Sequence, residues 1–391
     1  AGGAVVNNIG YGREEVAEVI KASAINNTYV LPPFLTPERE KLLDELRNHW
    51  LPPHLTRVHL SSGGSEANES AVKMAIQYQA SRGKPEKKII LTRSLSYHGT
   101  TLNMSGISGH AARKRGMESY LPGAKTIETP YPLRCPLGSF HPGAKDYYLD
   151  NLRKVIQHYG AENIAALLME PVNGSSGGAI YPPEGYWVEA QKILIENDIL
   201  LIADEVMTGF GRTGKSFAAE AFEVSPDIMT IAKGMTCGMV PMGGIMVKED
   251  IYQTFMTGPE DSIEFYHGYT YSGHPLAAAA GLATLNVYEE EGLFQRASEL
   301  APILEEELQT VKGSNYVIDI RNYGLLGAIE LEPIEGQPTA RAVNVFRECF
   351  SRGVLVRTTG DTIALCPPYI ASEDQVRTIV QTVKESIAAI D

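Results

Sequence analysis

The sequence predicts an α/β fold, with a large domain built on a mostly parallel sheet between helices and a smaller α+β domain. Residues 199–203 and 228–232 are short apolar runs with the β-branched content of fully buried strands. Strand-like and helical patterns alternate from residue 58 to residue 233, as they do around parallel sheets. Beyond residue 291 the predicted strands come in pairs separated by a helix and no longer alternate one by one with helices, which indicates a separate α+β unit.

Composition excludes several classes of protein. A chain of 391 residues is long enough for roughly two or three domains, and a net charge of −13 disfavours a nucleic-acid partner. No run of about 18 apolar residues predicts a membrane span, so we expect no membrane partner and a cytoplasmic location. The four cysteines and nine histidines lack the spacing of metal ligands, so we expect reduced thiols and no metal.

The first part of the chain has three predicted elements. Residues 1–10 have the pattern of a strand, and residues 13–24 have that of an amphipathic helix. A second helix is predicted over residues 36–50, where Thr36 caps the helix and Pro37 occupies its first turn. The chain starts without a methionine, inside an apolar run, so we expect that a segment precedes it.

Five predicted strands end beside a residue that can take part in chemistry. The strand at 58–60 leads through Gly63 and Gly64 into a helix that Ser65 is expected to cap, and strands follow at 88–92 and 164–169. With the two apolar runs, these strand ends present Ser65, Tyr97, Glu170, Asp204 and Lys233. Because ligands of open parallel sheets bind at the carboxyl ends of the strands, we expect these residues to share one site.

The remaining elements complete two predicted domains. A strand is expected at 243–247, and a polar, aromatic loop precedes a helix over residues 275–290. Later strands are expected at 317–320, 324–331, 354–357 and 362–366, with helices at 339–351 and after the capping box of Ser372 and Gln375. We predict a large domain of residues 58–290 and a small domain of residues 1–57 and 291–391.

The residue types at the strand ends suit pyridoxal 5′-phosphate. A glycine turn that opens a helix binds anions such as phosphate, and this turn lacks the lysine of a nucleotide P-loop. Tyr97 can stack on a pyridine ring, Asp204 can keep the ring nitrogen protonated, and Lys233 can form a Schiff base and carry a proton. A nucleotide-binding α/β enzyme and an inactive scaffold remain open as alternatives at this point.

The chain also resembles a known family, the class III or ω-aminotransferases of fold type I. The resemblance rests on motifs that match in order along essentially the whole chain, namely GGSEANESAVKMA, YHGTT, MEPVNG, IADEVMTGFGRTG, AKG, HGYTYSGHP and VRTTGDTIALCPP. It implies a homodimer with shared active sites, acting on an amine and a keto acid. An aminomutase, racemase or decarboxylase of the same superfamily is an alternative, and a non-catalytic cofactor-binding protein is another.

The resemblance also implies a role for each matched residue. Lys233 is the Schiff-base lysine, Asp204 pairs with the pyridine nitrogen, and Tyr97 and Val206 cover the two ring faces. Gly64 and Ser65 bind the phosphate from one subunit, and Tyr269 and Thr270 bind it from the other. Glu170 belongs to the network beneath the cofactor or is only a strand-end cap, and Glu205, Arg212 and His98 are mainly structural.

Arg357 and Ser175 bear on the substrate. Arg357 matches the family arginine that binds the substrate carboxylate, and the alternative is a surface strand arginine. Ser175 occupies the position of a glutamate that masks an active-site arginine in the ornithine, acetylornithine and 4-aminobutyrate branches. The resemblance therefore favours a pyruvate-dependent ω-amino acid or amine transaminase. Family members have a segment before residue 1 that carries an aromatic active-site residue, and that segment is missing from this sequence.

Overall fold

The computed structural model describes residues 2–258 and 264–390. Its larger sheet has seven strands in the order β1-β7-β6-β5-β4-β2-β3. These strands are β1 Leu55–Ser61, β2 Ile89–Arg93, β3 Lys125–Ile127, β4 Ile164–Met169, β5 Leu200–Asp204, β6 Ile228–Ile231 and β7 Gly243–Lys248. The strands from β3 to β6 pair in parallel, whereas β7 runs antiparallel to both β1 and β6. The predicted mostly parallel sheet is confirmed.

Burial on both faces explains why these strands have continuous apolar sequences. Alternate residues of a strand point to opposite faces, so Leu167 and Met169 pack into one apolar cluster while Ala166 and Leu168 pack into the other. Every residue of β4, β5 and β6 is buried. Charged side chains therefore occur where the strands end. Strands β1, β2, β4, β5 and β6 all end at the same edge of the sheet.

Thirteen α-helices are described, besides shorter 3₁₀ and π segments. They are α1 Gly2–Val5, α2 Glu14–Asn26, α3 Pro37–Glu45, α4 Gly64–Ser81, α5 Leu102–Ile107, α6 Ala144–Tyr159, α7 Tyr186–Glu196, α8 Ala218–Ala221, α9 Glu249–Phe255, α10 Pro275–Glu290, α11 Leu293–Gln309, α12 Ala340–Ser351 and α13 Glu373–Ala388. The predicted capping box is present at α13, where Ser372 and Gln375 bond each other's backbone. Within the described residues, no helix has the length and apolar character that a membrane crossing needs.

A second sheet of four antiparallel strands lies in the C-terminal part of the chain. Its strands are β8 Val317–Tyr323, β9 Leu326–Leu331, β10 Arg357–Thr359 and β11 Thr362–Leu365, in the order β10-β11-β9-β8. Helices α11 and α12 pack on it, and α13 packs on both of these helices. This unit has the α+β character that the sequence predicts beyond residue 291.

Several sequence predictions are wrong in detail. The strand predicted over residues 1–10 is absent from residues 2–10, because Gly2, Gly3 and Val5 have positive φ angles of 50°, 64° and 61°, which no extended ladder accommodates. The helix predicted over residues 36–50 leaves α-helical geometry after Glu45, where a π-helical turn of residues 46–50 replaces it. The strand predicted over residues 354–357 begins only at Arg357.

The helix after the glycine turn is also capped differently from the prediction. Gly63 is the N-cap of α4, and Ser65 lies inside the first turn. The Ser65 hydroxyl instead accepts a hydrogen bond of 3.2 Å from the amide of Thr100. Strand β3 and helices α5 and α6 carry no prediction from the sequence, although the buried residues Tyr148, Leu149, Leu152 and Ile156 of α6 recur at helical spacing.

Candidate active site

A cavity of about 380 Å³ opens at the carboxyl ends of the parallel strands. It brings together most of the residues singled out in the sequence. Those that line it are Gly64, Ser65, Tyr97, Glu170, Asp204, Val206, Lys233 and Arg357. These residues lie on separate loops, strand ends and one helix, so their convergence follows from the parallel arrangement of the strands.

Asp204 is the last residue of β5 and only 4% exposed. Its Oδ2 accepts a hydrogen bond of 2.8 Å from the side-chain amide of Asn68 and lies 2.8 Å from Nδ1 of His98. Its Oδ1 accepts bonds from the amide of Val206, at 3.1 Å, and from the Thr230 hydroxyl, at 3.4 Å. These contacts fix the carboxylate in one orientation at the cavity wall.

The surroundings keep Asp204 ionised although it is buried. Burial alone raises the pKa of a carboxyl group, but the hydrogen bonds from His98 and Asn68 and the charge of Lys233 outweigh it. The pKa of Asp204 is therefore lower than usual. Because it is lowered in the folded state, the ionised group stabilises the fold at neutral pH, and that contribution is lost as the pH falls through the folded-state pKa.

Lys233 begins the tight turn that follows β6 and is half-buried at the cavity wall. Burial lowers the pKa of its ammonium group, the charge of Asp204 opposes this shift, and Arg357 adds to it, so the net pKa is below the ordinary value. The neutral, nucleophilic amine is thereby favoured. Its backbone has a φ of 40°, in the left-handed region that costs a non-glycine residue about 1–3 kcal/mol.

The glycine turn before α4 fits tightly against the far side of the cavity. A Cβ atom built on Gly64 would lie 2.9 Å from Cγ1 of Val206, so a larger residue would push the turn away from that side chain. Nothing lies within 4 Å of such an atom on Gly63, which leaves open space at the turn. Free amides at the start of a helix bind anions, so this end of the cavity suits a phosphate.

Tyr97 and Glu170 are joined through the backbone. The amide of Tyr97 donates a hydrogen bond of 3.3 Å to Oε1 of Glu170, whose Oε2 lies 2.7 Å from the guanidinium of Arg93. Arg93 and Glu170 are both buried, so the pair holds the loop that carries Tyr97. The Tyr97 ring is also covered by the Arg113 guanidinium, 4.5 Å from the ring centre.

Arg357 and Ser175 lie on the same wall of the cavity. Both line it, and the hydroxyl of Thr359, on the strand that carries Arg357, donates a hydrogen bond of 2.9 Å to the carbonyl of Ser175. The described residues offer the Arg357 guanidinium no carboxylate within ion-pair distance. Arg357 is therefore a half-buried cation that faces the cavity, and it is not a surface arginine.

Tyr269 and Thr270 are placed elsewhere. They line a separate cavity of about 570 Å³ together with Tyr29 and His267. The Tyr269 hydroxyl donates a bond of 3.3 Å to the carbonyl of Glu66, in the first turn of α4. Within one chain, these two residues do not join the other predicted site residues, and their role across a subunit interface stays a prediction.

Two residues that support the site, Asn68 and Arg93, carry no prediction from the sequence. Asn68 and His98 hold Asp204 directly, which agrees with the mainly structural role expected of His98. Asn68 is a fully buried polar residue on the apolar face of α4, four residues after Gly64, and this position is the signal that was available. Arg93 ends strand β2 with a buried charge, as Asp204 ends β5, so the strand-end rule applied to it as well.

Glu205 is buried beside the site but points away from it. Its carboxylate accepts hydrogen bonds from the Thr208 hydroxyl and from the amide of Ala219, the latter at 2.6 Å. Burial raises the pKa of Glu205 to about 7, although these bonds oppose the shift. Its bonds tie the loop after β5 to α8, which agrees with the structural role expected of it.

The residues present fit pyridoxal 5′-phosphate. The cavity offers a helix N-terminus for a phosphate, an ionised carboxylate for a protonated ring nitrogen, and an amine with a lowered pKa for an aldehyde. Its volume falls in the range of small-molecule sites. Among the described residues, no cluster of histidine, cysteine or carboxylate side chains could hold a metal ion.

Comparison with known proteins gives one consistent result. The family described as "Aminotransferase class-III" matches residues 1–387. The chain is 41% identical over 343 residues to an omega-aminotransferase of Caulobacter vibrioides, covering 87% of this chain and 77% of that protein. It is 37% identical over 343 residues to a beta-alanine–pyruvate aminotransferase of Pseudomonas aeruginosa, covering 87% and 76%.

A solved structure agrees over the whole chain. An amine transaminase from an uncultivated Pseudomonas species, with PLP bound, superposes with a TM-score of 0.94 and 33% identity. The match covers 100% of this chain and 90% of that chain. From the family match, the relatives and this shared architecture, we conclude that the chain belongs to the class III aminotransferases, which are pyridoxal-phosphate-dependent enzymes of fold type I.

Proposed function

We propose that this aminotransferase moves an amino group from an amine or ω-amino acid to pyruvate by a ping-pong mechanism. The observation that carries the proposal is the uncharged Ser175 beside the cavity-facing Arg357. A neutral side chain at this position leaves the arginine available to a substrate carboxylate. The name of the Pseudomonas aeruginosa relative, which pairs beta-alanine with pyruvate, supports the same pair of substrate classes.

Each cofactor contact is assigned to a residue of the cavity. Gly64 and Ser65 would hold the phosphate, Asp204 would hold a proton on the ring nitrogen, and Tyr97 and Val206 would enclose the ring. Glu170 supports the loop of Tyr97 through its bond to that residue's amide. When bound, pyridoxal phosphate supplies an electron sink for the negative charge that forms on the substrate carbon.

Lys233 performs the proton transfers in this proposal. Its Nζ would hold the cofactor by its aldehyde group, and the neutral amine would take a proton from the substrate carbon. The same nitrogen then returns the proton at a different carbon. Burial and Arg357 lower the pKa of Lys233, so the released amine is able to act as a base.

Arg357 allows one cavity to accept two kinds of substrate. A planar guanidinium binds a carboxylate through two parallel hydrogen bonds, which suits pyruvate and the acid end of an ω-amino acid. An amine without a carboxylate leaves the guanidinium unpaired, and we infer that the side chain then swings out to solvent. Arg357 is only half-buried at the cavity wall, so part of its side chain is already open to solvent, as this movement requires.

The active enzyme is a homodimer in this proposal, and Tyr269 and Thr270 complete the phosphate site of the partner subunit. Their placement supports this, since they lie in a separate cavity and not in the site of their own chain. Exposed aromatic side chains nearby, Tyr266 at 77% and Tyr271 at 61%, provide apolar area for a subunit contact.

The function is tested by measuring alanine. The protein, loaded with pyridoxal phosphate, is mixed with pyruvate and a panel of donors that includes β-alanine, a diamine and a monoamine. We expect alanine to accumulate with at least one donor and 2-oxoglutarate to be a poorer acceptor than pyruvate. A clear preference for 2-oxoglutarate, or no alanine with any donor, would contradict the proposal.

Arg357→Ala should separate the two substrates. We expect the KM for pyruvate to rise by about tenfold or more, because a charge-assisted pair contributes about 1.5–3 kcal/mol. The kcat/KM for a monoamine donor should change by less than about threefold, since that donor makes no such pair. Steady-state kinetics with each substrate varied in turn provide the measurement.

The matched control is Arg352→Ala, which removes an arginine on the surface of the same C-terminal unit. This substitution should leave the KM for pyruvate and the kcat/KM for the monoamine donor unchanged. Equal losses for pyruvate and the monoamine in Arg357→Ala would show that Arg357 does not recognise the carboxylate.

A further inference from the structure

The turn that carries Lys233 is supported from behind by a polar contact that lies outside the cavity. The hydroxyl of Tyr288, on α10, donates a hydrogen bond of 2.7 Å to the carbonyl of Gly234, the residue after Lys233. The same hydroxyl accepts a bond of 3.0 Å from the side-chain amide of Asn8, and Sγ of Cys237 lies 3.0 Å from it. Tyr288 is only 1% exposed.

The turn leaves little freedom for any other arrangement. The amide of Met235 bonds the carbonyl of Ala232 at 3.0 Å, which closes the turn around the left-handed backbone of Lys233. A Cβ atom built on Gly234 would lie 2.8 Å from Nδ2 of Asn8, so the turn rests directly on that side chain. The Gly234 carbonyl accepts a bond of 2.7 Å from Tyr288 and a longer one of 3.6 Å from Sγ of Cys237. The shorter bond orients this carbonyl, and through it the direction in which Lys233 leaves the turn.

Asn8 connects this support to the cavity wall. Its backbone carbonyl accepts a bond of 2.9 Å from the amide of Tyr369, and its side-chain oxygen accepts one from Arg212. Just before it in the chain, Ala4 and Val6 line the cavity. One buried residue thus holds both the N-terminal wall segment and the hydroxyl that bonds the lysine turn.

We propose that Tyr288, held by Asn8, is a positioning residue that aims the amine of Lys233 at the cofactor. The proposal rests on the role proposed above for Lys233. Tyr288 itself does not line the cavity formed by the described residues, so it acts only through the turn. Loss of its hydroxyl frees the Gly234 carbonyl and lets the strained turn relax, and the amine then occupies a wider range of positions.

Tyr369 provides a matched control. It is also a fully buried tyrosine, and its hydroxyl donates a bond of 2.7 Å to a carbonyl, that of Phe210. Its ring packs against Tyr288 with ring centres 6.1 Å apart. The two tyrosines share one cluster, and only the hydroxyl of Tyr288 bonds the lysine turn. Replacing either tyrosine by phenylalanine removes the shorter of two bonds to a buried carbonyl. The longer bond that remains is 3.6 Å, from Sγ of Cys237 to Gly234, or 3.5 Å, from the Asn8 amide to Phe210.

The experiment compares Tyr288→Phe with Tyr369→Phe. Each protein is stripped of cofactor and titrated with pyridoxal phosphate, and the pH midpoint of the bound cofactor's absorbance is recorded beside kcat, KM and the unfolding temperature. We expect Tyr288→Phe to weaken cofactor binding about tenfold, shift that midpoint and lower kcat with little change in KM. Tyr369→Phe should lower the unfolding temperature as much as Tyr288→Phe does. Its affinity for the cofactor should stay within about twofold of that of the unmodified protein.

Different outcomes would refute the role of Tyr288 and the role of Lys233 on which it rests. Equal cofactor affinity and equal pH midpoints in the two variants would refute the role of Tyr288. Asn8→Ala, which removes the amide bonded to Tyr288, provides a second variant and should shift the same readouts in the same direction. If borohydride reduction of the unmodified enzyme traps the cofactor on another lysine, the proposed role of Lys233 fails instead.

Discussion

Lys233→Ala is expected to lower the rate of amino transfer by about four orders of magnitude or more, while the protein stays folded. Alanine has no amine to bind the cofactor or to move the proton between the two carbon atoms. Among the described residues, the Lys233 amine makes no hydrogen bond, so the substitution removes only its charge interactions, chiefly with Asp204, and the protein should stay folded. Single-turnover rates with a saturating amine donor give the measurement, and the far-ultraviolet circular dichroism spectrum reports folding.

Lys248→Ala is the control for this substitution. Lys248 ends strand β7 of the same sheet and forms an ion pair of 2.6 Å with Asp227, at some distance from the cavity. Its loss should leave the transfer rate nearly unchanged. If Lys233→Ala retained activity together with the cofactor's characteristic absorbance, another lysine would have to carry the chemistry.

Asp204→Asn is expected to slow the proton-transfer step by about two to four orders of magnitude while the cofactor still binds. In the proposed role, the ionised carboxylate would keep a proton on the pyridine nitrogen, and an amide could not do so because it has no charge. Asparagine has nearly the same shape, but its amide nitrogen cannot accept a hydrogen bond, so only one of the bonds from Asn68 and Val206 keeps an acceptor. The measurement is the single-turnover rate with a donor deuterated at the reacting carbon.

Asp227→Asn is the matched control for Asp204→Asn. Asp227 lies just before β6, where its carboxylate accepts a bond of 2.8 Å from the amide of Leu201. It is a half-buried aspartate of the same sheet that lies outside the cavity, so its loss should reduce stability and leave proton transfer unaffected. An unchanged single-turnover rate in Asp204→Asn would rule out the role proposed for Asp204.

The fold could be predicted where the local sequence pattern and burial in the folded protein favour the same residue types. Strands β4, β5 and β6 are buried on both faces, so their sequences are continuous apolar runs that periodicity detects. The same reasoning wrongly predicted a strand at the start of the chain, where Gly2–Val5 instead form a turn with positive φ angles. Glycine permits that geometry, and hydrophobic pattern does not reveal it.

The sequence by itself determined which residues are available for chemistry. Asp204, Lys233, Glu170 and Tyr97 follow apolar strands, and a charge that follows a buried strand must lie at the strand's end, since its desolvation inside the sheet would be too costly. This constraint is local, so it can be read from the order of the residues. It identified the edge of the sheet and the residues that line the cavity there.

Only the tertiary structure decided how these residues are held. Asn68 lies 136 positions before Asp204, and Asn8 lies 280 positions before Tyr288, yet each pair forms a direct hydrogen bond. Such bonds depend on the packing of helices against strands that are distant in sequence, and neither residue has a local pattern that predicts its partner. The pKa values of Asp204 and Lys233 are set by these same surroundings, because burial and the groups brought close by folding determine which charge each residue carries.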